Sequence, residues 1–475
     1  MIYFIFIINI FIALGIIFME RKDPSVTLAW IMVLFLLPGA GAILYALFSQ
    51  NIARQKIFKM TEKEYEENTH ALQSQNEDME SGSYQFHNEE AYKWKRLIRL
   101  NNVCGKAYYT ETNEVDLFFD GAEKIAALIN DIRDAKESVF IEYFIIKRDM
   151  VGDALLKALI RKAKEGVEVR LLVDAFGSRR INKKLVEKLK RAGGHYAEFF
   201  PTKWKIFTMK INYRNHRKLA VIDNRIGYIG GFNIAREYVG LKKRFGYWRD
   251  THARIRGGSV TDLALRFLMD WRSASNDPVD LSQAYYNEPE RPSNVGIQIV
   301  SNGLNQSVEE IKFAFMKMIN AAEERIYIQT PYFVPDIAIL EALKVAAQSG
   351  IDVKIMIPSI PDHAFVYWAT YSYVAEMMEA GGEIYIYNNG FLHAKTMTID
   401  GEISTVGSTN FDRRSFSLNF ESNAIFYDRV VTAKLDAAFD EDLKGSTMLT
   451  KELYDKRSRI IKIKEPISRL LSDIL

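Results

Sequence analysis

Apolar and polar positions divide the chain into regions of different period. Residues 2–19, IYFIFIINIFIALGIIFM, form an apolar run interrupted only by Asn9. As a helix this run is about 27 Å long, close to one hydrocarbon core. The polar break Glu20-Arg21-Lys22-Asp23-Pro24 separates it from a second apolar run, Val26 to Phe48. Pro38 lies inside that run with Gly39 and Gly41, and its missing backbone donor predicts a kinked or shallow second helix. Neither segment has the polar face of a surface helix, and the start lacks the basic residues of a signal peptide. Residues 1–48 therefore read as a two-helix transmembrane hairpin, which places the chain in the cell membrane as a multi-pass protein. Two spans return the remainder to the side of the N-terminus. Arg21 and Lys22 in the hairpin loop, against Arg54, Lys56 and Lys59 after the second span, favour the cytoplasm for that remainder.

Residues 49–107 read as a linker, first acidic and then basic. The stretch 61–90 holds nine acidic residues and one basic residue, Lys63, and predicts a solvated tether. Residues 92–99, YKWKRLIR, suit either a lipid headgroup region or a surface helix with Trp94 packed inward. Beyond residue 115, amphipathic helical periods alternate with short runs apolar on both faces, and the pattern occurs twice. Val139-Phe-Ile-Glu-Tyr is repeated as Ile326-Tyr-Ile-Gln-Thr, and Gly166-Val-Glu-Val as Gly350-Ile-Asp-Val. This order predicts an α/β fold of two pseudo-twofold-related domains, 108–290 and 291–475, with helices on both faces of mixed, largely parallel sheets. The basic, apolar C-terminal tail from Lys456 onward reads equally as a packed terminal element or as a second membrane contact.

The repeat carries a chemical motif. His216-Arg-Lys218-Leu-Ala-Val-Ile-Asp223 is followed by Gly230-Gly231-Phe232-Asn233, and His393-Ala-Lys395-Thr-Met-Thr-Ile-Asp400 by Gly407-Ser408-Thr409-Asn410. Every matched position is 177 residues from its counterpart. Histidine and lysine two residues apart share one face of an extended strand. A histidine attacks phosphorus or passes a proton near neutral pH, a lysine beside it holds phosphate oxygens, and an asparagine amide adds neutral donors. Two copies facing each other supply a nucleophile and an acid/base pair with no metal or other cofactor. Asp223 and Asp400 lie about 20 Å along the strand from their histidines, which predicts a structural ion pair at the strand end. His252 reads as a strand residue with a satisfied hydrogen bond. Residues 203–215, KWKIFTMKINYRN, read equally as a basic, aromatic patch for anionic headgroups or as a partly buried loop with solvated charges.

Composition narrows the alternatives. Among 475 residues, 63 Lys and Arg stand against 60 Asp and Glu, too small an excess for a dedicated nucleic-acid binder. A single cysteine, Cys104, excludes an intramolecular disulfide and a cysteine-based zinc site. Only seven histidines are present, so two of them falling in matched motifs is not chance.

The paired HxKxxxxD motif resembles the signature of the phospholipase D superfamily. The flanking phrases FFDGAEKIAALINDI, GGFNIAREY, WRDTHARIRG, TPYFVPD and FDRRSFSLNFESN, with the hairpin, resemble its bacterial cardiolipin synthase branch. The resemblance implies a catalytic set of His216, Lys218, Asp223, His393, Lys395 and Asp400, with His216 the nucleophile and His393 the general acid and base. It implies phosphate binding by Asn233, Asn410 and Ser408, and orientation of the histidines by Asp250 and Glu421. The implied reaction joins two phosphatidylglycerol molecules into cardiolipin and releases glycerol through a phosphohistidine. A different membrane phosphatidyltransferase, a hydrolytic phospholipase D, a nuclease of the superfamily and a silent membrane scaffold are the alternatives.

Overall fold

The structure, a computed structural model, describes residues 2–19, 24–48, 62–201, 213–275, 277, 279–284, 293–303 and 308–470. Fifteen strands make one continuous sheet. Its centre is the antiparallel pair Thr110–Phe118 and Val295–Asn302. From Thr110–Phe118 the sheet runs outward through His252–Gly257, Ile226–Gly230, Lys218–Ile222, Ser138–Tyr143, Glu168–Asp174 and His195–Phe199. From Val295–Asn302 it runs the other way through Glu421–Tyr427, Ile403–Gly407, Thr396–Ile399, Arg325–Gln329, Asp352–Pro358, Glu383–Tyr387 and Ser446–Met448. The two halves repeat one order about a pseudo-dyad at the centre.

The sheet is mixed, but the expected largely parallel character is corrected. Only the three outer strands starting at Ser138 and their counterparts starting at Arg325 run parallel. Helices such as Met150–Lys164 and Ile337–Gln348 connect those strands, and such crossovers return the chain in the same direction. The motif strands are instead hairpins. Burial on both faces made all of them uniformly apolar, and helical cover requires that whatever the strand direction. Phe140, Leu219 and Val221 pack under the helix Val260–Ala274 with Phe267 and Trp271. Val139, Ile141 and Ala220 pack on the opposite face with Leu128, Leu155 and Leu159.

The hairpin turns explain the motif aspartates. Asp223 and Asp400 have left-handed backbone, with φ of 52° and 55°. Asp223 accepts the backbone N–H groups of Lys136, Glu137 and Ser138 at 2.8, 2.7 and 2.9 Å. Asp400 accepts those of Glu323, Glu324 and Arg325 at 2.9, 2.8 and 2.8 Å. Their role is therefore to tie the hairpin to the start of the neighbouring strand, at the end away from the histidines. Backbone amides take the place of the expected ion pair, and the carboxylates are far from a catalytic position. Asp223→Ala is expected to lower stability by about 1–3 kcal/mol through the unmet donors. Urea unfolding measures that loss, while turnover per folded molecule stays within a factor of a few of the parent.

Part of the expected tether is folded. Glu62–Ser81 is a helix, and Gln75 within it donates to the Tyr109 carbonyl at 2.9 Å and accepts the Tyr109 N–H at 3.0 Å. After the short helix Glu89–Lys93, the helix Lys95–Gly105 packs Leu97 and Ile98 into the second-half core, and Trp94 turns inward with them. The acidic residues gave no hint of this because the anchoring contacts come from a few interspersed polar and apolar side chains.

At the N-terminus, helix Ile2–Met19 is followed by Pro24–Leu36 and, after a turn at Leu37–Gly39, by Ala40–Phe48. Asn9 donates to the Leu34 carbonyl at 2.6 Å, and Trp30 meets Tyr45 edge to face. Among the described residues no helix is long and apolar enough to cross a membrane, the second run being broken at Pro38. The flanking charges Arg21, Lys22, Arg54, Lys56 and Lys59, and residues 203–212 of the basic aromatic stretch, lie outside the described residues.

Candidate active site

Each motif enters its strand beside a segment of the opposite half. Asn215 bridges Phe420, and the His216 N–H donates to the Phe420 carbonyl at 2.9 Å. Phe391-Leu392 pairs in parallel with Trp248-Arg249, and the His393 N–H donates to the Arg249 carbonyl at 2.7 Å. These contacts cross the pseudo-dyad and carry the carboxylates with them. His216 Nδ1 lies 2.9 and 3.0 Å from the two Glu421 oxygens, and His393 Nδ1 lies 2.5 Å from Asp250 Oδ2. Each histidine is thus held by the other half's carboxylate, which leaves Nε2 for chemistry.

The lysines complete the cluster. Lys218 Nζ donates to the His216 carbonyl at 2.5 Å, and Lys395 Nζ to the His393 carbonyl at 2.6 Å. Lys218, His393 and Lys395 are buried and His216 is largely so. Burial brings Lys218 down to about 7 and Lys395 to about 8, each also feeling the other's charge or a neighbouring carboxylate. Burial, with the Lys395 charge, brings His393 down to about 4. Burial likewise lowers His216 against the pull of Glu421. For Asp250 and Glu421 burial acts upward, but His393 and His216 outweigh it and hold both carboxyls below their usual range.

The asparagines flank this cluster. Asn233 accepts the Ile145 N–H at 3.1 Å and donates to the Tyr238 hydroxyl at 3.2 Å; Asn410 donates to Asp412 at 3.0 Å. Each retains one amide hydrogen. Ser408 is directed elsewhere: its hydroxyl accepts the Ser422 N–H at 3.1 Å, beside Glu421. The difference between Gly231 and Ser408 has a steric cause. A Cβ at position 231 would stand 1.9 Å from Asp250 Oδ1, so only glycine admits that carboxylate. Gly231→Ser, which merely copies the second motif, is expected to displace Asp250 and lower kcat about 100-fold. Steady-state turnover measures this, with a near-ultraviolet dichroism spectrum to confirm folding.

His252 is corrected. It is fully buried, but neither ring nitrogen has a hydrogen-bond partner among the described residues, and burial holds it well below the usual imidazole range. It sits against Tyr228 and Phe232 as an apolar filler. Sequence reasoning missed several supporting residues. Asn419 donates to Glu421 at 3.1 Å, and the Thr251 N–H to Asp250 at 2.8 Å. Phe144 stands edge-on to His216, and Trp248 lies tilted against His393 within a cluster of Phe232, Tyr238, Phe245 and Phe391. The alternation Asn419/Glu421 and Trp248/Asp250 about each carboxylate was the available signal.

Two lysine-flanked histidines, each braced by a carboxylate across a pseudo-dyad, define a phosphodiester-transferring centre of the phospholipase D type. The family model described as "Cardiolipin synthase, PLD-like domain" matches residues 128–244 and 315–443, and a phospholipase D-nuclease N-terminal model matches residues 7–50. The chain is 48% identical over 470 residues to a cardiolipin synthase of Oceanobacillus iheyensis, covering 99% of this chain and 98% of the relative. It is 47% identical over 471 residues to the major cardiolipin synthase of Bacillus subtilis, with the same coverage of each. Among solved structures, phosphatidylserine synthase of Haemophilus influenzae superposes with a TM-score of 0.61 at 15% identity, covering 79% of this chain and 96% of that one, a likeness of fold. The chain belongs to the cardiolipin synthase family of the phospholipase D superfamily. It is accordingly a phosphatidyltransferase, an enzyme of phospholipid synthesis associated with the membrane.

Proposed function

We propose that the site transfers a phosphatidyl group between two phosphatidylglycerol molecules. His216 Nε2 attacks phosphorus; the bond to the leaving glycerol oxygen breaks as His393 protonates it. The terminal hydroxyl of a second phosphatidylglycerol then loses its proton to His393 and attacks phosphorus, and the N–P bond breaks. The products are cardiolipin and glycerol. Lys218 and Lys395, with Asn233 and Asn410, hold the phosphate oxygens as charge builds. Burial favours the neutral form of both histidines, the state a nucleophile needs. A phosphodiester anion between the lysines offsets the charge that depresses His393 and raises its proton affinity toward that of a general acid.

The observation that carries this reading is the crossed pairing of His216 with Glu421 and His393 with Asp250. The aromatic cluster around Trp248 favours transfer over hydrolysis by excluding water from the His393 side. The N-terminal hairpin supports a bilayer setting. Asn9 donates its amide internally to the Leu34 carbonyl, while Phe11, Phe18, Leu28 and Leu36 point outward. Two spans in the cell membrane would hold the catalytic halves, 108–290 and 291–475, at the cytoplasmic face. Incubation of purified enzyme with phosphatidylglycerol alone tests the reading. Cardiolipin with released glycerol supports it; phosphatidic acid alone indicates a hydrolase, and no turnover a scaffold.

A further inference from the structure

The C-terminal helix Arg459–Leu470 is amphipathic in the wrong sense for a helix that merely packs on a protein. Its inward face is polar. Glu465 and Ser468 are 4% and 1% exposed, and Glu465 pairs with Arg457 and accepts from the Tyr454 hydroxyl at 3.3 Å. Its outward face is apolar, with Ile460, Ile463, Ile467 and Leu470 exposed at 66, 62, 52 and 83%. At 100° per residue these four occupy one narrow stripe. Arg459 and Lys464 edge it, Lys462 lies beyond Arg459, and the helix's lone acid, Glu465, is turned inward and paired.

The helix is firmly mounted near the active site. It lies along the helix Ala364–Glu379, where Arg469 pairs with Glu376 and stacks on Tyr373, and Lys464 Nζ stands 4.4 Å over the Trp368 ring. Trp368 meets Phe365 edge to face, and Phe365 is itself exposed. The loop just before that helix holds Asp362, which bonds the buried Tyr332 hydroxyl and whose charge is felt at Lys395. Pro361 in the same loop accepts from Arg244 of the first half at 2.9 Å. The stripe and Phe365 therefore adjoin the rim of the catalytic cluster.

We propose that this face, Ile460, Ile463, Ile467 and Leu470 with Phe365, seats in the surface of an anionic phospholipid bilayer and holds the catalytic rim against it. An apolar stripe edged by cations is what the headgroup–acyl boundary of such a bilayer accepts, and its anionic headgroups complement Arg459, Lys462 and Lys464. The inference rests on the membrane-phospholipid reading above and adds a second attachment, separate from the N-terminal hairpin.

The test uses the full chain with Cys104→Ser and Ile463→Cys, labelled at position 463 with an environment-sensitive fluorophore and reconstituted in vesicles of phosphatidylglycerol and phosphatidylcholine. Emission is expected to shift to the blue and to be quenched several-fold by lipids carrying a shallow nitroxide. A water-like spectrum, or a blue shift without nitroxide quenching as burial against another copy gives, overturns the proposal. In parallel, Ile463→Asp with Ile467→Asp is expected to lower turnover about tenfold in vesicles and to leave turnover unchanged in mixed detergent micelles. An equal loss in both overturns a docking role. If the parent chain makes no cardiolipin, the function assigned above fails, whereas the quenching measurement still decides the position of the helix.

Discussion

His216→Ala is expected to abolish cardiolipin formation, lowering kcat by about 10⁴-fold or more, as removal of a covalent nucleophile does elsewhere. His393→Ala is expected to cost as much with phosphatidylglycerol, because the glycerol oxygen is a poor leaving group without a proton. A phosphatidyl ester of a nitrophenol separates the two roles. Its leaving group needs no proton, so His393→Ala retains a burst of one nitrophenol per site and accumulates phosphohistidine on His216. His216→Ala gives no burst. The reverse pattern would assign the attack to His393. The geometry makes the question experimental, since both imidazoles have a carboxylate on Nδ1 and a lysine on their own carbonyl. The surroundings differ: two Glu421 oxygens flank His216, whereas His393 has one short contact with Asp250 and Lys395 Nζ 3.0 Å from its Nδ1.

Arg217→Met is expected to destabilise the fold by about 3–5 kcal/mol, because it removes the central cation of a fully buried network and leaves Asp270 with Arg266 alone, at 3.0 Å. Arg217 lies between the catalytic His216 and Lys218, yet it points away from them. It donates to Asp270 at 2.6 Å, to the Asn302 carbonyl at 2.6 Å and to the Ser422 hydroxyl at 2.9 Å. Asp270 belongs to the first half, and Asn302 and Ser422 to the second. Glu142 lies in the same pocket, and burial pushes its carboxyl well above the usual range, with Asp270 adding to the rise and Arg217 opposing it. Lysine cannot replace the planar fork that reaches three partners, so Arg217→Lys is expected to recover little of the loss. Urea unfolding measures the effect. Arg217→Met combined with Asp270→Asn is expected to be less unstable than the sum of the single changes, since both break the same Arg217–Asp270 pair.

The chemistry of this protein was more legible in its sequence than its architecture. Matched spacing alone placed His216, Lys218 and Asn233 against His393, Lys395 and Asn410, because a duplicated unit preserves offsets whatever the fold does. Strand direction was not legible. Val139, Phe140 and Ile141 are apolar because helices cover both faces, and that cover is indifferent to whether a neighbour runs parallel. The helix Glu62–Ser81 was hidden by its acidic residues, since Leu72 and Gln75 supply its anchoring contacts. The crossed carboxylates depend on contacts between segments more than 140 residues apart, and glycine at 231 on the position of one of them, Asp250; no local pattern records either.

The crossed bracing has a consequence for inheritance. A duplicated gene ordinarily leaves its two copies free to drift apart or to be lost singly. Here a change at residue 421 is felt at residue 216 in the other copy, and one at residue 250 is felt at residue 393. The two copies are therefore selected as a single unit, and a chain cut between them would be inert until both pieces found each other again.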